Sequence, residues 1–136
     1  VKVILSHHAG QEEAHQRFLR ESKVLAQLQH PHIVHILEQG QLGQTPFLAM
    51  ELVDGEGLDA RLKRGSLSLE EVLEWFVPVA EALHFAHSRG VAHRDVKPAN
   101  ILRQRQGAVK LIDFGLAREE DSTRLSMTGK NLGDAL

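Results

Sequence analysis

Residues 93–100 read HRDVKPAN (His93 to Asn100), and residues 111–115 read LIDFG (Leu111 to Gly115). Asp95, Lys97 and Asn100 fall in one loop within six residues, and Asp113 stands at the end of a short apolar run, before a Phe and a Gly that permits unusual backbone angles. Taken singly, such polar residues read as turn formers. Taken together, amide and carboxylate oxygens beside a lysine suit a hard divalent cation that bridges phosphates, because magnesium prefers oxygen and shares its shell with substrate phosphate. A further carboxylate in the same place can orient an attacking hydroxyl.

Upstream of the loop, Leu69 to Arg89 has the length and pattern of a helix. Ser68 with Glu71 forms a capping box at its start, and Gly90 sits where a helix stops. Pro78 lies inside it and should remove one backbone hydrogen bond and kink it. A short helix is expected from Leu58 to Arg64. Trp75-Phe76 reads as helix core. Downstream, Ile101-Leu102, a turn at Gln106-Gly107 and Val109 to Ile112 make a hairpin. Val1 to Leu5 (VKVIL) reads as a strand. At 100° per residue, Ala14, Phe18, Val24, Leu25 and Leu28 share one face of a helix over Gln11 to Gln29, ended by Pro31. His35 to Gln39 and Pro46 to Val53 read as strands joined by a Gly-containing turn, and the DGEG that follows reads as a flexible connector between two subdomains.

The chain has 136 residues, 42% hydrophobic and 25% charged, which excludes a disordered tail. A net charge of −2 provides no basic field for nucleic acid or an anionic membrane. Cysteine is absent, which excludes disulfides, thiolate zinc sites and a cysteine nucleophile. No apolar run approaches the roughly 20 residues that span a bilayer. The chain opens on Val and at once on an apolar run, as though cut from something longer.

Two lone charges stand in apolar settings. Glu21 falls among Phe18, Leu25 and Leu28 on the first helix, and Lys2 sits alone in the first strand. Burial of either charge is costly without a partner. From the residues alone two readings stand: a bridge that aims the ammonium at a ligand anion, or Glu21 reaching towards Arg17 with Lys2 pointing outward.

HRDVKPAN followed by LIDFGLAR resembles the catalytic loop and metal-binding segment of the protein kinase superfamily. VKVI looks like the strand carrying the nucleotide lysine, RFLRESKVLAQLQHPHIV like the helix carrying its glutamate, and FLAMELVDG like the strand running into the hinge. Lys97, HPHIV and HRDVKPANIL look most like the bacterial eukaryotic-like serine/threonine kinases. The resemblance covers Val1 to about Gly133. It implies an incomplete α+β, two-lobed kinase fold. Residues 1–52 would be part of the small antiparallel-sheet lobe as far as the hinge, and residues 53–136 the first part of the helical large lobe.

The resemblance also implies roles, with ATP and Mg²⁺ as cofactors and a protein substrate as partner. Lys2 would hold the α/β-phosphates and pair with Glu21. Asp95 would accept the substrate hydroxyl's proton, Lys97 would neutralise the transferred phosphoryl, and Asn100 and Asp113 would bind Mg²⁺. Met50 would guard the back of the adenine pocket, backbone groups of Glu51 and Val53 would hydrogen-bond the base, and Leu102 would pack beneath it. Leu25, Ile36, His93 and Phe114 would form the apolar column linking the lobes. Arg94 would sense a phosphorylated activation loop, with Thr128 and Ser126 of SMTG as acceptors. A cytoplasmic location is implied, with room for a membrane anchor elsewhere in the parent protein and for its dimerisation.

The resemblance has gaps. The family's glycine-rich loop should precede Val1, and GEG at Gly55 and GKNLG at Gly129 stand in the wrong places for it. Several helices should follow Gly133. Roughly half a kinase domain is expected here. A domain of this length normally buries about 68–70% of its unfolded surface, so these residues alone should expose apolar faces of Leu69 to Arg89, aggregate readily and be weak or dead as a catalyst. A truncated or pseudo-kinase acting as a binding module is the second reading. A small-molecule phosphotransferase of the same fold is the third, disfavoured because such relatives typically lack a lysine at the Lys97 position. Nine histidines invite a metal site, especially at His30, His32 and His35 or at His84 with His87, but both groups coincide with positions where the family commonly has histidine for packing and hydrogen bonding.

Overall fold

A computed structural model describes residues 2–5 and 12–114, with the backbone alone at 2, 4 and 5. Strand β1 (Lys2–Leu5) is followed by helix α1 (Glu12–Ala26), strands β2 (Ile36–Leu42) and β3 (Thr45–Met50), strand β4 (Gly55–Gly57), and helices α2 (Leu58–Leu62) and α3 (Leu69–Ser88). A single 3-10 turn at Pro98–Asn100 then leads into β5 (Ile101–Gln104) and β6 (Val109–Leu111). Among the described residues no helix is long and apolar enough to cross a membrane.

Two antiparallel sheets result, in the orders β1-β3-β2 and β4-β5-β6. Strand β3 is central in the first and buries Leu48, Ala49 and Met50. Its register sets Lys2 opposite Met50. Helix α1 lies against this sheet, with Glu12 and Glu13 in its first turn and Lys23 in its last, each on the side that opposes the helix dipole. Its most buried residues are Phe18 and Ser22. The face expected from periodicity is therefore turned: Val24 is exposed, because a serine that bonds to β2 takes the inner position.

Helix α3 begins at the expected capping box, in which Ser68 Oγ accepts from Glu71 N–H and the Glu71 side chain accepts from Ser68 N–H. It continues through Pro78 to Ser88. Trp75, Val79, Ala82 and Ala86 recur at helical spacing and are buried with Leu58, Ile101, Val109 and Leu111 in the larger core. The opposite face leaves Leu69, Leu73, Phe76 and Val77 exposed, so Phe76 does not share Trp75's place in the core.

The DGEG stretch is not a loose connector. Gly55–Gly57 pairs with β5, Gly55 opposite Gln104, and a Cβ on Gly55 would lie 1.8 Å from the Arg103 carbonyl oxygen. Glycine is required there by the close approach of two backbones. Ion pairs then fasten this region: Glu56 to Arg64, Arg61 to Glu71 at 2.7 Å, and Arg103 to Glu74 at 3.0 Å.

Two outcomes follow from these contacts. Gly55→Ala should lower unfolding free energy by about 2 kcal/mol, as overpacking does, and an unchanged urea midpoint would show that the two strands part readily. The Ser68 N–H and then the Arg61 guanidinium hold the Glu71 carboxyl down from 4.5 to about 2. A lowered folded-state value gives stability that is complete above 4.5 and lost as pH falls towards about 2. Glu71→Gln should therefore flatten the acid limb of the stability–pH curve in that window, and an identical curve would contradict the assignment.

Candidate functional site

The loop between α3 and β5 is built from its helix end outward. Gly90, with φ +74, reverses the chain, and Val91 N–H donates to the Ala86 carbonyl at 3.0 Å. This turn delivers His93 to the interior, where it is 1% exposed. His93 Nδ1 accepts from Asp95 N–H at 3.1 Å, so the ring carries its proton on Nε2 and donates it to the Ile112 carbonyl at 2.7 Å. Its ring packs on Phe114 at 4.4 Å between centroids.

Asn100 closes the loop. It is buried, and its Nδ2 donates both to the Asp95 carbonyl at 2.9 Å and to Asp95 Oδ2 at 3.1 Å. With the amide nitrogen so engaged, the side-chain oxygen is the end left to accept or coordinate. Asn100 N–H donates to the Lys97 carbonyl, and the Asn100 carbonyl accepts from Ile112 N–H at 2.9 Å. Lys97 Nζ stands 3.5 Å from Asp95 Oδ2. Asp95, Lys97 and Asn100 are thus gathered in one hydrogen-bonded unit, and the Ile112 peptide ties that unit to Asp113.

Arg94 and Asp113 have φ of 68° and 53°, the positive values found for non-glycine residues among those described. Such backbone costs on the order of 1–3 kcal/mol per residue and collects at functional sites. Arg94 is exposed.

On the other side, a small, largely apolar cleft is lined by Leu25, Ile36, Met50, Asp113 and Phe114 among others. Five residues singled out from sequence therefore border one cleft. Val53 and Leu102 pack together against the smaller core that holds Met50. Glu21 lies on α1 and is partly exposed. The Lys2 side chain, Ser126 and Thr128 lie outside the described residues.

Sequence reasoning missed one cluster. Lys110 on β6 pairs with the Glu51 carboxylate, which also accepts from His35 N–H at 2.8 Å, while Glu51 N–H donates to the His35 carbonyl at 2.9 Å. Burial works against the ionised form of Glu51, but the bonds from Lys110 and His35 outweigh it and hold the carboxyl below its ordinary value. The signal was present: Lys110 is a lone charge in the apolar run VKLI, as Lys2 is in VKVIL. The histidines at 30 and 32 are packed and bonded: His30 lies on Phe85 and His32 Nδ1 meets the Val109 carbonyl at 2.8 Å.

Residues 1–131 match the family model for the protein kinase domain. Serine/threonine-protein kinase PknA of Mycobacterium tuberculosis (strain ATCC 25618 / H37Rv) is 41% identical over 141 residues, which cover 99% of this chain and 33% of the relative. PknL of the same strain is 40% identical over 136 residues, covering 99% and 34%. The crystal structure of the M. tuberculosis PknI kinase domain superposes with a TM-score of 0.72 at 36% identity, over 85% of this chain and 50% of that one. Rad53 1–466 in complex with AMP-PNP superposes with a TM-score of 0.75 at 29% identity, over 85% and 31%. The chain spans about a third of the length of the curated relatives it matches.

Replacing Asn100 by Ala should destabilise the chain by about 1–3 kcal/mol, since buried polar partners are left unsatisfied. Chemical denaturation showing wild-type stability would contradict the clamp.

Proposed function

The chain belongs to the protein kinase family, and from that premise we propose that it supplies part of the catalytic machinery for ATP-dependent transfer of a phosphoryl group to serine or threonine hydroxyls of protein substrates. The observation that carries this reading is the Asn100 clamp, which holds the Asp95 carboxylate next to the Lys97 ammonium and couples both to Asp113. The 40–41% identity to PknL and PknA, both named serine/threonine-protein kinases, supports the choice of hydroxyl acceptor.

In this reading Asp95 accepts the proton of the substrate hydroxyl as its oxygen attacks the terminal phosphorus of ATP, and the bond to the β-phosphate oxygen breaks. Lys97 offsets the charge on the transferred group. The Asn100 side-chain oxygen and the Asp113 carboxylate are hard donors that fit Mg²⁺, which neutralises phosphate charge when bound. Lys2 holds the α/β-phosphates and is oriented by Glu21. Met50, the backbone of Glu51 and Val53, and Leu102 enclose the adenine. The lobes meet after residue 52, with 1–52 in the small lobe and 53–136 in the large one. Arg94, exposed beside Asp95, reads a phosphate on Thr128 or Ser126 in this account, because a guanidinium pairs bidentately with phosphate.

Phosphoryl transfer depends more on positioning and charge than on proton removal. In the full-length protein Asp113→Ala should therefore abolish Mg·ATP-dependent phosphorylation, whereas loss of the base Asp95 should cost about 10²–10⁴ in rate. Near-normal turnover by Asp113→Ala would refute the role, and nucleotide binding without any phosphorylation by the unaltered full-length protein would favour a binding module.

A further inference from the structure

The side of α1 that faces β2 carries polar contacts in register with both elements. Ser22 is 0% exposed, and its Oγ lies 2.6 Å from the Gln39 side-chain amide and 3.0 Å from the Leu19 carbonyl. The hydroxyl has one proton and donates it to Gln39 Oε1 across the shorter contact, with the Leu19 carbonyl, one turn back, as the alternative acceptor. Two turns earlier on the same side of the helix, His15 meets Gln41. Gln39 and Gln41 are alternate residues of β2 and so lie on one face of the strand.

The surroundings make this serine unusual. Phe18, one turn before it, is buried in the smaller core, and Leu25, one turn after, packs against the larger one. An apolar residue would fill the same place without the cost of burying a hydroxyl. What the hydroxyl adds is direction: the helix can meet β2 with its bonds made in only one rotational setting. Glu21 is the adjacent residue, about 100° round the helix, so the rotational setting held at Ser22 also sets the side of α1 from which the Glu21 side chain leaves.

We propose that Ser22 and Gln39 are positioning residues for phosphoryl transfer, acting through Glu21 by locking the rotation of α1 against β2. The inference rests on the reading that Glu21 orients Lys2. It adds a contact between α1 and β2, on the face of the helix next to the one that carries Glu21.

A double-mutant cycle in the full-length protein tests it. kcat/KM for Mg·ATP and KM for a protein substrate are measured for Glu21→Gln, Ser22→Ala, Gln39→Ala, and each of the last two combined with Glu21→Gln, with thermal melting of every variant. Loss of one hydrogen bond corresponds to about tenfold in rate. Ser22→Ala and Gln39→Ala should each lower kcat/KM for ATP by about that factor, leave KM for the protein substrate unchanged, and add no further loss once Glu21 is Gln. Gln39→Ala approaches the bond from its half-buried end, so it reports even if Ser22→Ala folds poorly. Equal losses in both backgrounds, or lower melting with unchanged kinetics, would overturn the proposal. Wild-type kinetics for Glu21→Gln would overturn the ion-pair reading beneath it, and the positioning role with it.

Discussion

The peptide group of Ile112 is the point on which the site depends. Its carbonyl accepts from His93 and its N–H donates to the Asn100 carbonyl. One residue, immediately after β6, thus fixes the start and the end of the loop that carries Asp95 and Lys97, and the next residue is Asp113. In a buried setting such bonds are strong and their loss leaves orphaned groups, so the loop and the Asp113 segment can hold a common geometry although β5 and β6 intervene between them. The positive φ at Arg94 and Asp113 is the backbone cost of that closure.

A second layer sets the small sheet against this unit. Leu111 N–H donates to the His32 carbonyl and its carbonyl accepts from Val34 N–H. Glu51, just past β3, joins His35 and Lys110. The stretch that follows α1 is therefore stitched to β6 on one side and to the end of β3 on the other. The cleft between Met50 and Phe114 lies within this frame, and α1 enters it through Leu25 while Ser22 holds the helix from the β2 side.

What was legible in the sequence was what local chemistry decides. The capping box of Ser68 and Glu71, the stop at Gly90 and the hairpin after Asn100 each depend on a few neighbouring residues, and each forms as read. The grouping of the loop residues was also legible: Asp95, Lys97 and Asn100, read together from their order and spacing, lie together. Tertiary pairing was not legible. Gly55–Gly57 has no strand former, and becomes a strand only because β5 comes close enough to require glycine. Periodicity placed Val24 inside and ignored Ser22, because a hydropathy pattern does not see that a hydroxyl can be satisfied by a strand 17 residues away. Phe76 shares Trp75's apolar character, but one residue on turns it about 100° away from the core and leaves it exposed.

Hydrogen exchange of the full-length protein, with and without a non-hydrolysable ATP analogue and Mg²⁺, tests most directly whether these separate segments form one nucleotide site. The account predicts that protection rises together at residues 50–53, 95–102 and 111–114 when nucleotide and metal are both present, and only weakly with nucleotide alone. Protection confined to one of these segments, or unchanged in all three, would contradict it.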